Sequence, residues 1–171
     1  MGPARVNAAQ LAAWFRSKRI ADARPPVPVE DLARMFIEEG RAEGVRGDVA
    51  FVQAMVETGW LRFSERVPPS LNNFSGLGAV DGGTTANAFP SARIGVRAQI
   101  QHLRAYADPS VTPSRLANPL VSPRFDLVRP KGKAPLWSQF GGGNWATDPD
   151  YAGKIDRLYD QLCVHAGVPV K

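Results

Sequence analysis

A chain of 171 residues with 44% hydrophobic and 22% charged side chains has the length of one domain and a globular composition, which excludes global disorder. Its 21 Lys and Arg against 16 Asp and Glu give a net charge of +5, which suits polyanionic partners or simple solubility. The basic residues form no block, so nucleic-acid binding is not expected, and no stretch approaches the roughly 18 apolar residues that a membrane span needs.

The elements follow in chain order. Met1–Gln10 lacks the apolar core of a secretory signal, so action outside the cell implies a trimmed signal or another export route. A first helix is predicted from about Asn7 to Arg19, with Asn7 as N-cap and Leu11, Trp14 and Phe15 on its apolar face. Asp22–Pro28 carries three prolines and reads as a connector. A second helix spans about Val29 to Glu43, with Leu32, Met35 and Phe36 inward and Gly44 as its stop. A third starts near Gly47 or Asp48 and is apolar nearly all round, the pattern of a helix inside a core. It closes on Glu57-Thr58-Gly59-Trp60.

Residues 68–90 are rich in Gly, Asn, Ser and Thr and read as loops, with one short hairpin around Asp81-Gly82-Gly83. Ser91 caps a fourth helix to about Ala107, with Ile94, Ile100, Leu103 and Tyr106 as its buried stripe. Asp108–Pro135, broken by prolines, is expected as an extended surface excursion. A short helix is expected over Leu136–Phe140, and Gly141–Gly143 as a turn. The last helix should start after Thr147 or Asp148 with Pro149 in its first position, and run to about Ala166 with Ile155, Leu158, Tyr159 and Leu162 inward.

Most routes to chemistry find no residues. His102, His165 and Cys163 have no zinc-ligand spacing, and both histidines are expected at the surface or hydrogen-bonded. Cys163 lies on an apolar stripe and reads as packing; alone, it excludes an intrachain disulfide. No serine sits in a nucleophile elbow, and Gly141–Gly143 lacks the Lys-Ser/Thr of a phosphate loop. No metal or organic cofactor is expected.

Glu57 remains. Burial penalises its charged form, and so does the negative end of the helix dipole. A protonated carboxyl at neutral pH is what a general acid needs. The structural alternative is a helix-end glutamate reaching solvent or Arg62 or Arg66.

Three blocks in one order carry a resemblance: Glu57-Thr-Gly-Trp60, Asn72-Asn-Phe-Ser-Gly76, and Trp145-Ala-Thr-Asp-Pro-Asp-Tyr-Ala-Gly-Lys-Ile155. Together they resemble the glucosaminidase domain of glycoside hydrolase family 73, whose members cleave peptidoglycan. The likeness covers about Val29 to Leu162. It implies a mostly α, lysozyme-like fold (α+β): a helical lobe, a small irregular or β-hairpin lobe, and a cleft between. Residues 29–171 would be the catalytic domain, and 1–28 a helix and connector packed on it.

The resemblance implies Glu57 as catalytic acid, with Trp60, Asn72, Asn73, Phe74, Trp145 and Tyr151 holding substrate. An Asn amide can bond an acetamido group, and an aromatic ring can stack on a sugar. Trp60 is equally well explained by core packing, and Tyr151 by an ordinary place in a helix's first turn. Three departures stand out. Leu61 replaces a frequent Gly, Ser75 offsets the Asn-Phe turn, and the lobe between Ala79 and Phe89 is short. Glycosidases commonly need a second carboxylate. Asp81 is the candidate to activate water, with Glu65 behind it, and the substrate's own acetamido group offers another route.

The implied activity is hydrolysis of the β-1,4 bond after N-acetylglucosamine in bacterial peptidoglycan, by a monomer acting at the cell wall. The alternatives are a muramidase or lytic transglycosylase on the same fold, and a non-catalytic wall-binding or phage structural module.

Overall fold

The computed structural model describes residues 1–79 and 86–170. Five helices carry the fold: α1 (Ala8–Ser17), α2 (Val29–Glu43), α3 (Gly47–Glu57), α4 (Ala92–Ala107) and α5 (Tyr151–Ala166). Four single 3-10 turns lie between them, at Pro69–Leu71, Pro113–Arg115, Phe125–Leu127 and Trp137–Gln139. The protein is mostly helical, and no strand occurs among the described residues. The expected hairpin around Asp81 falls in 80–85, outside the described residues, so it gains no support here.

α3 is the hub. Nine of its eleven residues are buried, from Gly47 through Met55, because it packs against α1, α2, α4 and α5. It meets α2 backbone to backbone. A Cβ on Gly47 would lie 2.1 Å from the Phe36 carbonyl oxygen, so only glycine permits that approach. Phe36 meets Phe51 edge to face at 5.6 Å across this contact. α1 is held at both ends of its sequence logic. Asn7 and Gln10 form a reciprocal capping box, and Trp14 and Leu11 are fully buried.

Three further expectations need correction. The 108–135 segment is no mere surface excursion: Val111, Phe125, Val128 and Ala134 plug into the core from it. Each removes apolar area from water, which fixes a Pro-rich strip whose only regular structure among the described residues is two single 3-10 turns. The helix expected over Leu136–Phe140 is a single 3-10 turn. α5 starts at Tyr151, two residues beyond Pro149, because the Asp148 side chain accepts the Asp150 amide at 2.9 Å in a local turn.

Candidate active site

The Glu57-Thr-Gly-Trp string works as a device for ending a helix. The Thr58 hydroxyl donates to the Ala54 carbonyl at 2.7 Å and accepts the Leu61 amide at 2.9 Å. Gly59, Trp60 and Leu61 then take left-handed backbone angles, with φ of 57°, 65° and 60°. Such a run is costly for the two side-chain-bearing residues, about 1–2 kcal/mol each. Packing offsets the cost: Leu61 is fully buried, and Trp60 lies 5.0 Å from the Trp14 ring, against α1. Leu61 therefore occupies a conformation that glycine would adopt freely, which accounts for the departure seen in the sequence. The turn throws the chain away from α3 and leaves the Glu57 side chain at the rim of a groove.

That groove has a volume of about 290 Å³ and is lined by Arg62, Phe63, Ser64, Val67, Asn73 and Gly76 beside Glu57. Glu57 is the only carboxylate lining it among the described residues. A larger cavity of about 600 Å³ lies beside α5 and Trp137, away from Glu57.

Two residues from the last sequence block reach Glu57. Trp145 Nε1 donates to Glu57 Oε1 at 2.8 Å, and the Tyr151 hydroxyl donates to the same oxygen. Behind them runs a relay. Gln53 Nε2 donates to the Tyr151 hydroxyl at 3.0 Å, and Gln99 Nε2 donates to Gln53 Oε1 at 2.8 Å. Because Gln53 fills the acceptor side of the phenol, the Tyr151 proton has Glu57 as its target. Sequence reasoning passed over Gln53 and Gln99. The available signal was a pair of amides on the buried faces of two apolar helices, which must find partners.

Burial pushes the Glu57 carboxyl above its ordinary range, against the smaller downward pull of Tyr151 and Trp145. Burial and the neighbouring Glu57 push the Tyr151 phenol far above its ordinary value, so it stays a donor. Both neutral donors meet Oε1. Oε2 is left for the proton and lies on the side of Gly76, where an added Cβ would be 3.7 Å away. A carboxyl in this state can hand a proton to a group in the groove. Arg62 is not its partner: that guanidinium bonds Asp22 at 2.7 Å.

Of the other predicted residues, Asn72, Phe74 and Trp60 are engaged in the scaffold, and Asn73 both staples its loop and lines the groove. Asn73 is buried, and its amide bonds Leu77 and Asn87 carbonyls, both at 2.9 Å, while its oxygen accepts the Ser75 and Leu77 amides. Asn72 donates to the Phe89 carbonyl at 3.0 Å, and its own carbonyl sits where a Cβ on Gly95 would be, 1.7 Å away. Phe74 is 1% exposed and packs on Phe36 and Phe63, so its ring has no free face for a sugar. Trp60 belongs to the α1 contact and does not line the groove. These corrections share one cause: the loop after the acid must be stapled before it can form a wall. Glu65 is exposed on the loop after α3, and Asp81 lies outside the described residues.

His102 also differs from expectation. It is buried between Tyr106 and Trp145, at ring distances of 5.2 and 5.1 Å, and its Nδ1 has no partner among the described residues. Burial first, then Arg124, Lys131 and Lys133, push it down to about 3, so the ring is neutral. No group of three His, Cys, Asp or Glu able to hold a metal occurs among the described residues. No described helix is long and apolar enough to cross a membrane.

Comparison with known proteins adds two findings. Residues 33–163 match the family model Glucosaminidase, described as mannosyl-glycoprotein endo-β-N-acetylglucosaminidase. An uncharacterized protein of Borreliella burgdorferi is 37% identical over 134 residues. The match covers 78% of this chain and 63% of that protein, so the chain spans less than two thirds of its relative's length.

Proposed function

The chain belongs to the glucosaminidase family, and on that premise we propose that it hydrolyses the β-1,4 bond after N-acetylglucosamine in bacterial peptidoglycan, with Glu57 as general acid. The observation that carries this reading is the Glu57 carboxyl at the groove rim, held by two neutral donors and raised by burial. In the first step Glu57 Oε2 gives its proton to the glycosidic oxygen as the bond to the anomeric carbon breaks. Trp145 and Tyr151 then hold the carboxylate that forms. The substrate's own acetamido oxygen can then attack the anomeric carbon. Asp81 as water-activating base is the other route.

The reading extends to a lysozyme-like two-lobed fold, with residues 29–171 as the catalytic unit and 1–28 packed on it. It places a monomer at the cell wall. The test is digestion of purified peptidoglycan, borohydride reduction and mass analysis of the new ends, for wild type beside Glu57→Gln. New reducing N-acetylglucosamine ends that vanish in the variant are expected. Reducing N-acetylmuramic ends would replace the reading with a muramidase, and anhydro ends with a lytic transglycosylase. Binding without any new end would leave a wall-binding module.

A further inference from the structure

The strip 124–133 carries four cations, Arg124, Arg129, Lys131 and Lys133, and one acid, Asp126. It is fastened to the end of α4: the Gly132 amide donates to the Ala105 carbonyl and the Ala134 amide to the Tyr106 carbonyl, both at 3.0 Å. Lys133 Nζ lies 5.1 Å from the Tyr106 ring centre, and Lys131 Nζ lies 4.3 Å from that of Phe125. The Tyr106 ring lies 5.6 Å from Trp145, whose indole holds Glu57. Arg124, Lys131 and Lys133 are all half-buried. Among the described residues, neither Arg124 nor Lys133 has a carboxylate within ion-pair distance, and Lys131 approaches only Asp126, at 3.9 Å. Elsewhere the half-buried arginines have carboxylate partners: Arg46, Arg93, Arg97 and Arg104 each pair with one or more.

Partly desolvated cations beside an aromatic wall are an anion site with its counter-charge missing. We infer that Lys133, over the Tyr106 ring, and Arg124, whose charge acts on the same Tyr106 and on His102, bind a carboxylate of the glycan strand next to the bond that Glu57 breaks. The ligand class is thus an acidic glycan rather than a neutral one such as a mannosyl oligosaccharide. Lys131 stiffens the strip, donating to the Phe125 carbonyl and, at 3.2 Å, to that of Val128.

The inference rests on the hydrolase reading, but its test does not need turnover. Binding is measured by co-sedimentation in the Glu57→Gln background, with and without Arg124→Gln and Lys133→Gln together. Four materials are compared: intact peptidoglycan, peptidoglycan with its carboxyls amidated, glycan strands stripped of peptide, and chitin. Amidation should weaken binding about tenfold, the double substitution should do the same, and the two together should cost no more than either alone. Arg124→Lys with Lys133→Arg should restore most of the affinity. If the loss persists on stripped strands, the carboxylate is sugar-borne; if it vanishes there, it belongs to the peptide stem. Losses that multiply, or that are equal on chitin, would overturn the inference. Should wild type cleave none of the four while the binding cycle holds, the hydrolase reading fails and the carboxylate site stands.

Discussion

The two ends of α3 each hold a carboxylate taken out of water, and they are built in opposite ways. At the N-terminus, Asp48 is fully buried and faces a charge: Arg46 bonds it at 2.8 Å, with the Arg5 amide and the Tyr159 hydroxyl, each at 2.8 Å. At the C-terminus, the side chains that bond Glu57 among the described residues are an indole and a phenol. The helix dipole favours the anion at the first end and opposes it at the second. Burial pushes Asp48 up, but Arg46 and its other donors outweigh it and hold the carboxyl below the ordinary range. At Glu57, with no cation, burial wins. Desolvation alone therefore does not raise a carboxyl's pKa; desolvation without a counter-charge does. Two other buried carboxylates also have cation partners: Glu39 pairs with Arg93 and Arg97, and Glu43 with Arg104, all of α4.

Glu57→Gln breaks the comparison at its reactive end and has the largest expected effect. The wall-cleaving rate should fall by about 10²–10⁴, the usual share of a general acid. Stability should move the other way as pH rises. The folded pKa of Glu57 lies above its unfolded value, so the folded state binds the extra proton between them. Wild-type stability then falls as pH climbs through that window, and the Gln variant lacks this loss. Urea titrations of both proteins across that window check the sign; a wild-type curve parallel to the variant's would contradict it.

Asp48→Asn breaks the structural end. It leaves the Arg46 guanidinium, 18% exposed, without its partner, and should cost about 3 kcal/mol of unfolding free energy. The pH dependence is opposite to that of Glu57. A lowered folded pKa contributes stability above the unfolded value and loses it as pH falls through the folded one. Wild type should therefore lose stability on acidification more steeply than Asp48→Asn. Thermal melts at successive pH values, falling from the ordinary carboxylate range, read this directly.

Tyr151→Phe tests whether the donors at Glu57 temper its acidity. Removing the phenol takes away the larger of two downward pulls, so the Glu57 pKa should rise further. The alkaline limb of kcat/KM should then move to higher pH, since that limb reports the free enzyme's acid. Gln53 Nε2 would lose its acceptor inside the core, at a cost of about 1–3 kcal/mol in a denaturant titration. A limb that stayed in place would mean that the hydroxyl positions Glu57 without tuning it.

The contrast also marks what a sequence can carry. The helices were legible because their signals are local: Asn7 and Ser91 cap, Gly44 stops, and the α3 apolar run has no polar face. Glu57, Trp145 and Tyr151 were legible as a set only through resemblance, since 88 residues separate the acid from the indole. The structural duty of Asn73 was not legible, because an Asn in a loop looks the same whether it binds sugar or staples backbone. Only the Leu77 and Asn87 carbonyls reveal the staple. His102 was misread for a related reason: helical periodicity shows one buried face, yet α4 is covered by the 124–134 strip as well. Long, Pro-rich segments give no periodic signal of what they cover.

Trp145→Phe is the finest cut. The indole N–H is the smaller of the two downward pulls on Glu57, so its loss should shift the alkaline limb in the same direction as Tyr151→Phe, but less. A Phe ring retains much of the contact with His102, Tyr106 and Phe140, so the aromatic wall should stand and stability should change little. The two effects can be separated by combining the substitutions. If each donor acts on the carboxyl through its own hydrogen bond to Oε1, the double variant's limb should move by about the sum of the single shifts. A double variant that moved no further than Tyr151→Phe alone would mean that the phenol holds the whole geometry and the indole merely follows it. Glu57 would then be a carboxyl tuned by one neutral donor, and the role of Trp145 would lie in its packing with His102, Tyr106 and Phe140 instead.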